Sequence, residues 1–238
     1  MRQLTIPRGG LPAIALTIPD DQPTDYLINE IYSGRCYAPV PCVTDVASVI
    51  DIGANVGLAA AYFRACYPDA LIHGFEPAPE TFAIFAANAE RIGRCVAHSW
   101  GLYACDRRVN LFLGREGAAN NSICQHEYSS TNAISVELKA SGRVFSALSL
   151  PDSVDIVKID TEGCEIPVLR GLESWLSRVR LFYIEFHSEG DRRVIDDLLQ
   201  PTHTLWRAAI HSPHRGLVVY VRRDCLPAVL PDAALVSE

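Results

Sequence analysis

Beyond Val46, short and nearly continuous apolar runs alternate with segments of about a dozen residues whose apolar positions recur at helical spacing. The runs are ASVIDIG, ALIHGFE, CVAHSW, SVDIVKID and RVRLFYIEFH. Between them lie VGLAAAYFRACY, PETFAIFAANAERIG, IPVLRGLESWL and DRRVIDDLLQ. Apolar runs without a polar face are strands covered on both sides. Strands alternating with helices build a mostly parallel, doubly wound sheet with right-handed crossovers. RRVNLFLG and AISVEL read as an antiparallel pair around a loop rich in Asn and Ser, and HTLWRAAI and GLVVYVRR as a terminal pair. The expected fold class is α/β, Rossmann-like, with one domain over residues 46–238. Residues 1–45 form a lead segment, extended at first and then helical in PTDYLINEIYSGRCY, with Thr24 or Asp25 as cap and Gly34 as stop. Tyr26, Leu27, Ile28, Ile31 and Tyr32 need a surface to bury against, which makes the segment a lid over a site or a homodimer contact.

Composition narrows the classes. At 238 residues, 49% hydrophobic and 21% charged, the chain is ordinary for a globular protein with an ample core. Its net charge of −7 gives no electrostatic footprint for nucleic acid or for an anionic membrane. It has no apolar run long enough for a spanning helix, and its N-terminus, broken by Pro7, Gly9, Gly10 and Pro12, lacks a signal-peptide core. The eight cysteines form no C-x-x-C pair and no zinc spacing, so they read as reduced thiols in a cytoplasmic protein.

The chemistry gathers at strand ends. VIDIGANVG places Asp51, Gly53, Asn55 and Gly57 between the first strand and its helix, where glycines let the backbone turn and approach a ligand. The loop reads G-x-N-x-G rather than the dinucleotide G-x-G-x-x-G, and an acid precedes it. Glu76, followed by Pro77, ends the second strand, where a carboxylate can accept both hydroxyls of a ribose. A cationic nucleoside without phosphates suits this layout, and S-adenosylmethionine is such a ligand. Ser99, Trp100 and Gly101 follow the third strand and are candidates for its adenine pocket.

A second group lies in DIVKIDTEGCEIPVLRGL, which delivers Asp160, Glu162 and Glu165 within six positions after a buried strand. Lys158 shares a face with Asp160 by the two-residue period and is a candidate for substrate binding; Glu185 and His187 share a face at the next strand end. Asp160, Glu162, Glu185 and His187 can act as a proton relay. Alternatively, Asp160, Glu185 and His187 can hold a divalent ion, for which oxygen-rich ligation favours magnesium. His126 lies in a loop that could reach the site. A nicotinamide-dependent oxidoreductase and a non-catalytic nucleoside-binding module are the rival readings.

VIDIGANVG, GFEPAPETFAIFAAN, VDIVKIDTEGCEIPVLRGL and FYIEFHSEG together resemble the FkbM-type methyltransferases over roughly residues 46–200. The resemblance implies a class I methyltransferase fold, a sheet of about seven strands with an antiparallel last strand. It also implies S-adenosylmethionine as cofactor, with Asp160 beside it, and O-methylation of a sugar or natural-product hydroxyl; N-methylation is a smaller alternative. Asn121 and Ser122 resemble the family's short Asn-Ser loop and are candidates for substrate binding. Thr161 and Cys164 stand where the family often has Val and Ala.

Overall fold

The computed structural model describes residues 1–114, 121–123, 129–148 and 150–227. Seven strands form the main sheet, β3 (Ser48–Ile52), β4 (Leu71–Phe75), β5 (Cys95–His98), β9 (Val154–Ile159), β10 (Val179–Phe186), β11 (His203–Ser212) and β12 (Arg215–Arg222). Their spatial order is β11-β12-β10-β9-β3-β4-β5. Neighbours from β5 to β10 pair in parallel, and β12 runs antiparallel between β10 and β11. The expected α/β fold, with its antiparallel last strand, is the one observed.

Every residue of β3 and of β9 is buried, as expected for strands covered on both faces. In β10 the alternation sorts the two cores: Leu181 and Tyr183 face one cluster, Phe182, Ile184 and Phe186 the other. The first core is closed by α1 (Gln22–Tyr32), α2 (Leu58–Cys66) and α3 (Pro79–Ile92). The second lies under α4 (Ser141–Ala147), α5 (Glu165–Gly171), α6 (Glu173–Leu176) and α7 (Glu189–Leu199). A three-stranded sheet of β6 (Gly101–Tyr103), β7 (Arg107–Gly114) and β8 (Ser129–Ala140), in the order β6-β8-β7, joins that second core.

Three expectations need correction. The opening residues are a hairpin, β1 (Arg2–Arg8) and β2 (Leu11–Ile18), rather than a single extended arm. Pro7 falls in the register shift between Ile6 and Arg8, where no ladder hydrogen bond is lost, so it does not break the strand. Ile6, Ile14, Leu16 and Ile18 pack into the first core. The cap of α1 is Asp21, whose side chain accepts from Thr24 N at 2.9 Å, instead of Thr24 or Asp25. The helix expected over IPVLRGLESWL is two, split at Leu172. Gly171 closes the first of them: a Cβ there would sit 2.2 Å from Ser141 Oγ, so glycine is needed where α5 passes α4.

A buried cation braces the far edge of the sheet, where α2 and α3 end and β4 and β5 begin. Arg64, 2% exposed, donates to the carbonyls of Gly93, Tyr67, Pro68 and Arg94. Replacing it by Met orphans these acceptors, and urea unfolding of Arg64→Met should show a loss of about 3 kcal/mol. An unchanged midpoint would assign the brace no weight. No helix among the described residues is long and apolar enough to cross a membrane. The seven described cysteines are free thiols, with Cys36 and Cys164 buried and Cys105 exposed.

Candidate active site

The carboxyl ends of β3, β4 and β9 meet around one cavity. Gly53, at φ 81°, turns the chain out of β3, and a Cβ there would lie 1.7 Å from the Asp160 carbonyl oxygen. The glycine is therefore required by the neighbouring strand end as well as by the cavity that it lines. Gly53 N and Ala54 N both donate to Phe75 O at 3.0 Å, which fixes the loop to β4. Asn55, at φ 49°, donates its backbone N–H to Glu76 Oε2 at 3.0 Å, and Ala78 N donates to Glu76 Oε1 at 2.9 Å. Glu76 is 7% exposed, and burial pushes its carboxyl up to about 7 against those two N–H bonds.

Gly53, Asn55, Glu76, Pro77, Gly101, Asn121, Lys158, Asp160 and Glu162 line this cavity, with Leu102, Leu111 and Leu138 as its apolar wall. Four sequence candidates stand elsewhere. Asp51 is fully buried behind the loop, 3.0 Å from Lys158 Nζ, so it neutralises a lysine rather than meeting a ligand. Gly57 is a packing position, because a Cβ there would come within 2.9 Å of the Phe85 ring. Ser99 is exposed, and Trp100 packs on His98 at 4.9 Å between ring centroids with Lys139 Nζ 3.5 Å over its own ring; neither lines the cavity. Lys158 reaches the cavity, but its ammonium is taken up by Asp51, by Gly53 O at 2.6 Å and by Asp160 at 3.6 Å. Its hydrogen bond goes to Gly53 O and its charge is balanced by two carboxylates, which ties the ends of β3 and β9 together.

The second group converges as its spacing suggested. Ligand atoms of Asp160, Glu185 and His187 lie within 4.8 Å of one another. His187 Nε2 is 3.1 Å from Glu162 Oε2 and 3.9 Å from Glu185 Oε1, and Nδ1 is 3.6 Å from Glu165 Oε1. Burial opposes a charged ring there, but Glu162 and Glu165 outweigh it and push the imidazole up to about 11. Those two carboxylates favour the imidazolium while no ion is bound; a divalent ion would displace that proton, and the Asp160, Glu185 and His187 atoms are close enough to hold one. Burial and the adjacent Asp160 push the Glu185 carboxyl well above the usual range.

Glu165, which the spacing brought forward without a role, organises the turn. Its carboxylate accepts from Thr161 N and Thr161 Oγ1, both at 2.9 Å, and from Gly163 N at 3.1 Å. Those bonds hold Glu162 at φ 52°, a left-handed conformation costly for a non-glycine residue. Ser122 Oγ donates to the Glu162 carbonyl from the opposite side. Asn121 Oδ1 accepts from Gly114 N at 2.9 Å, which ties Asn121 to the end of β7 while Ser122 ties the pair to the acidic turn. His126 lies outside the described residues.

A second cleft, of about 380 Å³, opens between α1 and the β11–β12 hairpin. Glu162 and Leu27 line both spaces, so the two are contiguous at these residues. Leu27, Ile31 and Tyr37, which line the first cavity, come from the lead segment, as do several walls of the second.

A family model described as the methyltransferase FkbM domain matches residues 51–213, which span the glycine loop, Glu76, the acidic turn and His187. The chain belongs to this FkbM methyltransferase family. It is 28% identical over 170 residues to Methyltransferase 1 of Beauveria bassiana, covering 63% of this chain and 67% of that one. It is 27% identical over 150 residues to the hexuronic acid methyltransferase AglP of Haloferax volcanii, covering 63% of this chain and 59% of that protein. Fibrillarin of Aeropyrum pernix, solved with natively bound S-adenosyl-L-methionine, superposes with a TM-score of 0.50 at 13% identity, over 82% of this chain and 74% of that one. At that identity the likeness is one of fold.

Proposed function

We propose that this FkbM-family protein is an S-adenosylmethionine-dependent O-methyltransferase acting on a hydroxyl of a small-molecule or sugar acceptor. The observation that carries this reading is the position of Glu162, on the wall of both the glycine-loop cavity and the adjoining cleft. A carboxylate at that junction serves a reaction between two bound molecules rather than the binding of one.

The cavity residues fit the donor. Each Glu76 oxygen accepts one backbone N–H and keeps acceptor capacity for the two hydroxyls of a ribose. Gly53 and Asn55 bring backbone to the cavity wall, and the leucines beside Gly101 offer an apolar slot for a base. Asp160 adds a carboxylate suited to a cation. When bound, S-adenosylmethionine supplies an electrophilic methyl group. A neutral alcohol is a poor nucleophile, so its proton needs an acceptor. Glu162 takes that proton at its carboxylate, and the His187 imidazolium orients the carboxylate. Glu185, whose carboxyl is pushed above the usual range by burial and by Asp160, completes the group.

Glu76 makes the donor reading measurable. Glu76→Ala should weaken S-adenosylmethionine binding by about 1.5–3 kcal/mol, the range for hydrogen bonds to a charged group. If the ionised carboxylate is the binding form, a value of about 7 makes affinity rise with pH. Calorimetry should then find binding about tenfold tighter at pH 8 than at pH 6. Glu76→Gln should flatten that dependence. Normal binding by Glu76→Ala would move the donor elsewhere. The activity itself is tested by transfer of a labelled methyl group from the donor to a panel of hydroxyl and amine acceptors. Label on amines alone would replace O- by N-methylation.

A further inference from the structure

The cleft between α1 and the β11–β12 hairpin has no place yet in the chemistry except where Glu162 closes its inner end. Pockets for drug-like or aromatic molecules are lined mainly by apolar side chains. Here, of ten lining residues, only Pro23 and Leu27 lack a polar side chain. We propose that this cleft is the acceptor subsite and that it selects an uncharged, polyhydroxylated acceptor of the glycosyl type, gripped by Glu30 of α1 and Arg215 of the hairpin.

This inference rests on the donor reading for its place in the reaction, but the subsite stands on its own geometry. Glu30 is a held carboxylate rather than a loose surface acid. Tyr26 Oη donates to its Oε1 at 2.7 Å, and His211 Nδ1 approaches the same oxygen at 3.8 Å from the hairpin. The helix and the hairpin thus meet across the cleft through one side chain. The β11–β12 turn presents Ser212 and Arg215, which pair in register across its two intervening residues. Carboxylates accept from adjacent hydroxyl pairs, and a guanidinium donates to ring and hydroxyl oxygens. Arg215 is the single arginine or lysine of the lining, against the carboxylates of Glu30 and Glu162, so an acidic acceptor gains one attraction and meets two carboxylates. An apolar alcohol would leave these polar groups desolvated and unpaired, which is costly.

The test measures acceptor binding without the donor, so failure of the subsite and failure of the donor reading are separate results. Saturation-transfer NMR on the full chain would compare methyl glucoside, methyl glucuronide and 2-phenylethanol. Methyl glucoside should bind best, and Glu30→Gln and Arg215→Gln should each weaken it about tenfold. Ser212→Trp, which fills the cleft from the hairpin side, should abolish its signal, while circular dichroism confirms that each variant is folded. Preference for the glucuronide or the phenyl alcohol, or unchanged glucoside binding in Ser212→Trp, would overturn the proposal. Calorimetry with S-adenosylmethionine on the same variants should give the wild-type affinity, because the three substituted side chains line only the outer cleft.

Discussion

Glu162→Gln should reduce turnover by about 10²–10⁴-fold, the range for loss of a general base, while altering donor affinity far less. Glutamine keeps the length and shape of the side chain, and the backbone at φ 52° remains pinned by the Glu165 carboxylate and by Ser122. What it removes is the proton acceptor at the junction of the two spaces. His187 loses its 3.1 Å carboxylate partner in this variant, while Glu165 at 3.6 Å still favours its charged form. His187→Gln should therefore be the milder variant, losing orientation of Glu162 rather than the base itself. Asp160 and Glu185 give the contrast within the same group: Asp160 borders the glycine-loop cavity and Glu185 the adjoining cleft, so of the three only Glu162 touches both. Single-turnover kinetics with saturating donor would separate the chemical step from binding. Full turnover in Glu162→Gln would sink the assignment and return the acidic turn to a helix start.

The sheet was legible because parallel strands buried on both faces must be written as continuous apolar runs, and β3, β9 and β10 are. The same logic located the acids. Once β9 and β10 lie parallel with Ile159 opposite Ile184, their following residues share one sheet edge, and Asp160, Glu185 and His187 meet there. Spacing along the chain failed wherever a partner came from far away. Asp51 looked like a ligand residue because the loop beside it is one, yet its register partner across the ladder is Lys158. Gly57 and Trp100 carried motif value, but Phe85 and His98 occupy their surroundings. Glu165 was visible as an acid four residues after Thr161; that its carboxylate would tie the turn could be read only after the turn was seen. The contributions of Leu27, Glu30 and Arg215 depend on how α1 and the terminal hairpin meet, which no local pattern encodes.

The Asp51–Lys158 pair sets the second large expectation, for stability rather than turnover. Both groups are withdrawn from water, at 0% and 3% exposure, in adjacent strands at the centre of the sheet. Lys158→Met would leave the Asp51 carboxylate buried without a counter-charge and the Gly53 carbonyl without its 2.6 Å donor. Breaking one side of such a pair costs about 3–5 kcal/mol, a large share of a domain's typical 5–15 kcal/mol, so urea unfolding should shift strongly to lower concentration. Replacing both partners is a different perturbation. Asp51→Asn with Lys158→Met removes the charge along with its partner, and neutral replacements of buried pairs are often tolerated. The double variant should therefore be more stable than Lys158→Met alone, which a double-mutant cycle would record as coupling. Donor binding supplies the check that links stability to the site. Lys158 holds the Gly53 carbonyl, so the double variant, although folded, should bind S-adenosylmethionine more weakly than the parent. If Lys158→Met unfolded at the wild-type urea concentration, the pair would carry no stabilising load. Lys158 would then be free to serve the acceptor, the role that its place two residues before Asp160 first suggested.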